Sequence, residues 1–192
     1  LRPEDIMRKE RCVGPAWFMN EVRIVDDEKL PVAIGEIGEL FSRSPYLMNG
    51  YYKNPAATAK ATTDDGFFSA GDLAKFDDEN HIYIVDRKKD MIISGGANIY
   101  PRDIEEVLVL HPSVVDAAVI GLPSEQWGEL VTAVIVTAGN SPIPEKDLDS
   151  MCRSELAGYK VPRRYEKIEV LPRNAGMKVM KGELRQKFID HE

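Results

Sequence analysis

"YIVDRKKDMIISGGANIYPRDIEEVL", from Tyr83 to Leu108, holds two β-branched runs, the charged cluster Asp86-Arg87-Lys88-Lys89-Asp90 between them, a glycine pair and the start of a helix. The pattern of the chain changes here. Upstream, residues 17–85 read as strands and turns: "EVRIVDDEKLPV" alternates and turns at Asp26-Asp27-Glu28, "GEIGELFSRSP" is punctuated by glycine, and "HIYIVD" alternates again. One short helix is expected among them, "NPAATAKATTDDG", opened near Asn54-Pro55 and closed by Gly66. Downstream, helices and strands alternate. The sequence therefore predicts an α+β chain in two parts, and a linker between two bodies must stay hydrated, which accounts for the charge.

In the downstream part, "PRDIEEVLVLHP" places Ile104, Val107 and Leu108 on one helical face, opened by Pro101 and closed before Pro112. "SVVDAAVIGLP" and "ELVTAVIVTAG" have the strongest strand character, with "SEQWGE" as their turn. "PEKDLDSMCRSELAGY" is an amphipathic helix with Leu148, Met151, Cys152 and Leu156 inward, so Cys152 reads as a core residue rather than a reactive thiol. "RYEKIEVLP" follows as a strand and "KGELRQKF" as the final helix.

The 192 residues, 43% hydrophobic, suffice for one good core or two modest ones. A net charge of -7 argues against a general nucleic-acid binder. The charge is uneven, however: Arg153 to Glu192 carries ten Lys/Arg against six Asp/Glu, or +4, and residues 1–152 carry 15 against 26, or -11. A basic segment on an acidic protein suggests a local anionic partner such as a phosphate-bearing small molecule. Cys12 and Cys152 stand far apart with no CxxC or His-rich neighbourhood, giving neither a disulfide framework nor a zinc pattern. No apolar run is long enough to span a bilayer and the N-terminus lacks the shape of a signal peptide, so a cytoplasmic protein is expected. The opening "LRPEDIMRKE", without Met, is consistent with an internal cut.

Several residues are candidates for chemistry. Asp72 in "GFFSAGDL" follows Gly71 with an exposed carboxylate, which suits an Asx turn or the vicinal hydroxyls of a ribose. Arg87 brings a permanent planar donor, for ribose oxygens or a phosphate or for a surface ion pair with Asp86 or Asp90. The pair Gly95-Gly96 lacks the GKS/T ending of a P-loop and the GxGxxG spacing, and reads as a turn between strand and helix. Lys160, Arg163 and Arg164 form a basic knot around Pro162, either a solvated face or a set of phosphate contacts. In "LPRNAGMKVMKGELR", Lys178 is either one of many solvated lysines or an ammonium delivered by a loop ahead of a terminal helix.

Four stretches, "GFFSAGDL", "VDRKKDMIISGGANIYPRDIEEVL", "LAGYKVP" and "LPRNAGMKVMKGELR", match one family in order and spacing. The chain resembles the C-terminal portion of the adenylate-forming superfamily of acyl-CoA synthetases, peptide-synthetase adenylation domains and luciferases, and the match covers essentially its whole length. The resemblance implies residues 1–88 as the end of the large domain's β-rich, distorted-barrel subdomain, and residues 89–192 as the small mobile α+β domain. It implies Asp72 and Arg87 as ribose contacts, Lys89 as the hinge, Lys178 as the adenylation lysine, and Gly95 and Gly96 as the loop beside the pantetheine arm of CoA, with Lys160 and Arg163 on the CoA phosphates. The cofactors implied are ATP/AMP and CoA, with Mg2+ held in an upstream domain outside this chain. The implied reaction is ATP-dependent ligation of a carboxylic acid, a fatty acid first, to CoA through acyl-AMP, the isolated fragment being inactive. The partners expected are these small molecules, with homo-oligomerisation open. Two departures stand out: Ala70 replaces the family's Thr, and Met177 replaces its Gly before the lysine, which makes Lys181 a conceivable substitute for Lys178. Alternatives of other classes are a non-catalytic module that binds CoA or an acyl carrier protein, and an interaction domain.

Overall fold

The computed structural model describes residues 3–139 and 141–189. The chain divides into two compact units, Leu1–Lys89 and Asp90–Glu192.

The first unit opens with a helix, α1 (Pro3–Arg8), and a short strand, β1 (Cys12–Gly14), which the pattern of alternation did not reveal. β2 (Glu21–Val25), β3 (Gly38–Arg43), β4 (Asp72–Phe76) and β5 (Ile82–Arg87) complete an antiparallel sheet in the order β1-β5-β4-β3-β2. Between β3 and β4 lies α2 (Pro55–Ala61), where Asn54 Oδ1 accepts from the Ala57 amide at 3.0 Å as its N-cap, the start that Asn-Pro predicts. The expected distorted barrel is not present. β1 and β2 are both edges, and closure would require ladder bonds between them; the three-residue β1 pairs only with β5 and β2 only with β3, so the sheet stays open. Its apolar clusters are small, Ile24 with Ala74 and Ile82, and Val25 with Phe41 and Phe67.

The second unit is built on a long hairpin, β8 (Val114–Ser124) and β9 (Gly128–Thr137), numbered after the short pair β6 (Ile92–Ser94) and β7 (Ala97–Ile99). β9 also pairs in parallel with β10 (Arg164–Lys167) and, at Ser94↔Gly128, with β6. Strand alternation sorts the side chains to two faces. Ala117 and Val119 with Val131, Ala133 and Ile135 meet Ile104 and Leu108 of α3 (Pro101–Leu108) and Leu148 and Cys152 of α4 (Glu145–Glu155). Ala118, Ile120, Leu122 and Val134 meet Leu184 and Phe188 of α5 (Lys181–Ile189) on the other. The result is a three-layer α+β unit. Cys152 is fully buried, and burial pushes its thiol up to about 11, as a core position does. No described helix is long and apolar enough to cross a membrane.

Candidate functional site

Asp72 and Arg87 are register partners across β4 and β5, so the pleat points both side chains the same way. Arg87 Nε lies 2.9 Å from Asp72 Oδ1, a charge contact whose N–H is not aligned as a hydrogen bond, while its Nη2 donates to the Ala70 carbonyl at 2.6 Å. Asp72 Oδ2 has no partner among the described residues, which leaves one carboxylate oxygen able to accept a hydroxyl. Gly71, at φ +80, makes the turn into β4 that a side chain would resist.

Beside this pair the chain is clamped up to Lys88. The Lys88 amide donates to the Gly71 carbonyl at 2.8 Å, and its ammonium meets Asp27 at 2.8 Å and Glu39 at 3.2 Å. Burial would raise the Glu39 carboxyl, but the Ser69 hydroxyl, Lys29 and Lys88 together hold it below the usual range. Lys89 lies one step on, in a 3-10 turn (Lys88–Asp90); its side chain is exposed and without a partner among the described residues.

Gly95 and Gly96 form the two-residue tip of the β6–β7 hairpin, since Ser94 pairs with Ala97. Their φ values of +58 and +79 are those of a type I′ turn, a conformation in which glycine costs least. They are thus a hairpin turn rather than a strand-to-helix turn. The tip hangs from the β8–β9 turn: the Gly95 amide donates to the Trp127 carbonyl at 2.8 Å, and the Ile93 amide to Glu129 Oε2 at 2.6 Å. The basic knot resolves into three different situations. Lys160, in a 3-10 turn (Gly158–Lys160), pairs with Asp103 of α3 at 2.8 Å, and Arg164 pairs with Glu166 at 2.7 Å. Arg163 instead lays its guanidinium carbon 3.9 Å from the centroid of the Trp127 ring.

Lys178 sits on the loop before α5, exposed, its ammonium without a partner among the described residues. Asn174 shapes this loop, its Oδ1 accepting from the amides of Gly176 and Lys178 at 3.0 Å each. Arg173 fastens it, donating to the Met177 carbonyl at 2.7 Å and to Asp116 of β8 at 2.5 Å. Met177 adopts φ +62, the left-handed region that favours glycine. Lys181, by contrast, is occupied: its Nζ meets Glu105 Oε1 at 2.7 Å, and that oxygen also accepts from the Val119 amide at 2.8 Å, tying α5 to α3 and β8.

The structure therefore sets Gly95 and Arg163 against Trp127, with Gly96 next to Gly95 at the tip, but keeps Lys178 apart. Trp127 is at the closed end of the β8–β9 hairpin and Asp116, the anchor of the Lys178 loop, near its open end, where it faces Val136. Extended strand from Asp116 to Ser124 spans roughly 25 Å at about 3.3 Å per residue. No sequence pattern marks Arg173 or Asn174, and Trp127 shows only as the lone aromatic in "SEQWGE".

Residues 103–178 match the AMP-binding enzyme C-terminal domain, and over nearly its whole length the chain matches the adenylate-forming acyl-CoA ligases. Its relatives include a feruloyl-CoA synthase of an Amycolatopsis species, 42% identical over 95% of this chain, and a long-chain-fatty-acid–CoA ligase of Mycobacterium tuberculosis, 40% identical over 98%. The o-succinylbenzoate CoA synthetase of Bacillus subtilis, solved with its acyl-adenylate intermediate, superposes with a TM-score of 0.90 at 34% identity over 96% of this chain. The chain spans 37% of the length of each of these three proteins.

Proposed function

We propose that this chain is the C-terminal part of an ATP-dependent acid–CoA ligase working through acyl-AMP, with residues 1–88 closing the large domain and residues 89–192 forming the mobile one. The observation that carries the reading is the separation within the second unit: an unpaired lysine on one end of the β8–β9 hairpin and a glycine tip with a stacked arginine at the other. One body with two chemically distinct ends suits two successive half-reactions, provided it turns between them.

In the first step a carboxylate attacks the α-phosphate of ATP, and both partners are anionic. The Lys178 ammonium lies between them and the leaving pyrophosphate, lowering the barrier electrostatically. Asp72 accepts from the ribose hydroxyls with its open oxygen, and Arg87 holds that carboxylate in place while offering a further N–H. Rotation at Lys89 then brings the Gly95–Gly96 tip to the acyl-AMP, where the absence of side chains gives the pantetheine arm room. The CoA thiol adds to the acyl carbonyl and AMP leaves. Mg2+ would travel with the ATP phosphates; we assign it no ligand in this chain. Relatives that act on ferulic and on long-chain fatty acids leave the acid to be found by assay, and we put a fatty acid first.

The test is acid-dependent pyrophosphate release by the full-length protein with ATP, Mg2+ and a panel of carboxylic acids. Lys178→Ala should lower it by about 100-fold or more, the usual cost of one preorganised charge in such a site, while thioester formation from supplied acyl-AMP and CoA survives. Undiminished release would remove Lys178 from the mechanism, and no release from a folded wild type would favour the non-catalytic CoA-binding module.

A further inference from the structure

We infer that Trp127 is a positioning residue for the thiol step, fixing the Gly95–Gly96 tip and Arg163 to one rigid plate; the thiol step itself rests on the function proposed above. The indole touches both partners. A Cβ built on Gly95 would come within 3.2 Å of Trp127 Cε3, so the tip lies directly against the ring edge, and the Gly95 amide is bonded to the carbonyl of the same residue. The ring face carries Arg163. Of the basic knot, Lys160 and Arg164 have spent charge on Asp103 and Glu166, whereas the Arg163 side chain makes no ion pair or hydrogen bond among the described residues.

A guanidinium lying against an indole is held by its face and keeps its N–H edge for another acceptor. On an exposed residue that edge is a ready donor for a phosphate, the anionic group of the thiol substrate. A β-hairpin with a three-residue β6 is weak alone, so its tip takes its position from what it leans on. The neighbouring backbone reinforces the lean. Gly128, at φ +76, lets the chain after Trp127 turn back beside β6, and a Cβ there would stand 3.5 Å from the Ile93 carbonyl.

The test uses the 192-residue chain and two readouts, exchange of the Gly95 amide, which is bonded to the residue-127 carbonyl, and calorimetric titration with coenzyme A. Trp127→Ala leaves the residue-127 carbonyl in place but removes the ring that holds the tip against it, so it should speed exchange at Gly95 by about tenfold, a misalignment worth roughly one hydrogen bond, and weaken coenzyme A binding by a similar factor. Trp127→Phe, which keeps an aromatic face, should restore most of both. The amides of the β8–β9 ladder serve as the control for a merely structural defect and should stay protected. Unchanged exchange at Gly95 in Trp127→Ala overturns the inference, as does failure of Phe to rescue. Faster exchange with coenzyme A binding unchanged upholds the positioning role and instead removes the assignment of this end to CoA.

Discussion

In residues 90–192 the β8–β9 hairpin is covered on both faces, by α3 and α4 over one apolar cluster and by α5 over another. In residues 1–89 the buried apolar clusters are a few side chains each, and large hydrophobic residues such as Trp17, Phe18, Tyr46 and Tyr52 are more than 70% exposed. What the first unit has in their place is charge. Lys9, its side chain 7% exposed, meets Asp77 and Glu79; Arg8 meets Asp5 and Glu79; His81 lies 3.5 Å from Asp5 and 3.7 Å from Asp77. Arg23 and Arg43 stack over Phe67 while pairing with Asp65 and Glu21. The second unit is the more extensively packed, and the first relies more on ion-pair networks whose strength depends on pH and salt.

The sharpest way to break this contrast is to open the core of each unit. Leu148→Ala, fully buried between α4 and the sheet, should cost about 2–5 kcal/mol of the second unit's stability, read from exchange of the β9 amides. Ile82→Ala in the first unit has fewer apolar neighbours to lose and should cost less. Equal losses would mean that the first unit is packed as tightly as the second.

Acid should separate the units next. Arg8 holds the Glu79 carboxyl down at about 2 and Arg23 holds Asp65 there too; Asp77, which burial would raise, is brought well below the usual range by Lys9 and its backbone donors. Each folded-state value is below the unfolded one, so the stabilisation is complete above about pH 4.5, the ordinary carboxylate range. It is lost as pH falls from there towards 2. Amide protection in β4 and β5 should therefore fail at higher pH than protection in β8 and β9. Simultaneous loss in both sheets would show that the carboxylates are not what distinguishes them.

Two lysines three positions apart extend the contrast into the candidate site. Lys181→Met removes the partner of a largely buried Glu105 and should destabilise the second unit by about 1–3 kcal/mol, the cost of stranding a polar group that retains one hydrogen bond. Lys178→Met should leave stability within about 0.5 kcal/mol, as for an unpaired surface residue. Thermal unfolding of the two variants measures both. A destabilised Lys178→Met would show that its ammonium is engaged, and the two lysines would no longer divide into a structural and a chemical one.

The same contrast explains what the sequence could convey. The alternation of β8 and β9, the 3.6-residue spacing of Ile104 and Leu108, and the Asn-Pro cap of α2 are local patterns, and the structure contains each of them. The barrel was an expectation about closure, which depends on whether β1 and β2 meet, and no local pattern encodes that. In the sequence Asp72 and Arg87 are separate ribose candidates; that they face each other follows only from the register of β4 and β5. Trp127 was invisible for the same reason, since its partners Gly95 and Arg163 lie more than thirty positions away on either side. The engagement of Lys181 likewise needs Glu105, a residue that reads as one more charge on a helix.

Met177 provides the finest test, because sequence and backbone disagree there. A residue with a Cβ in the left-handed region costs roughly 1–2 kcal/mol relative to a right-handed one, and glycine avoids that cost. The Asn174 turn and the Arg173 bond to the Met177 carbonyl hold the strained conformation in place. Met177→Gly relieves the strain but also enlarges the freedom of the unfolded chain, which offsets part of the gain. The expected net effect is a stabilisation of the loop by about 0.5–1 kcal/mol, seen as slower exchange at the Lys178 amide. The exposed Met177 side chain packs against little, so its removal should cost almost nothing. If exchange at Lys178 instead quickens, the methionine is restraining the loop by stiffness, and it helps to place Lys178 rather than being tolerated beside it.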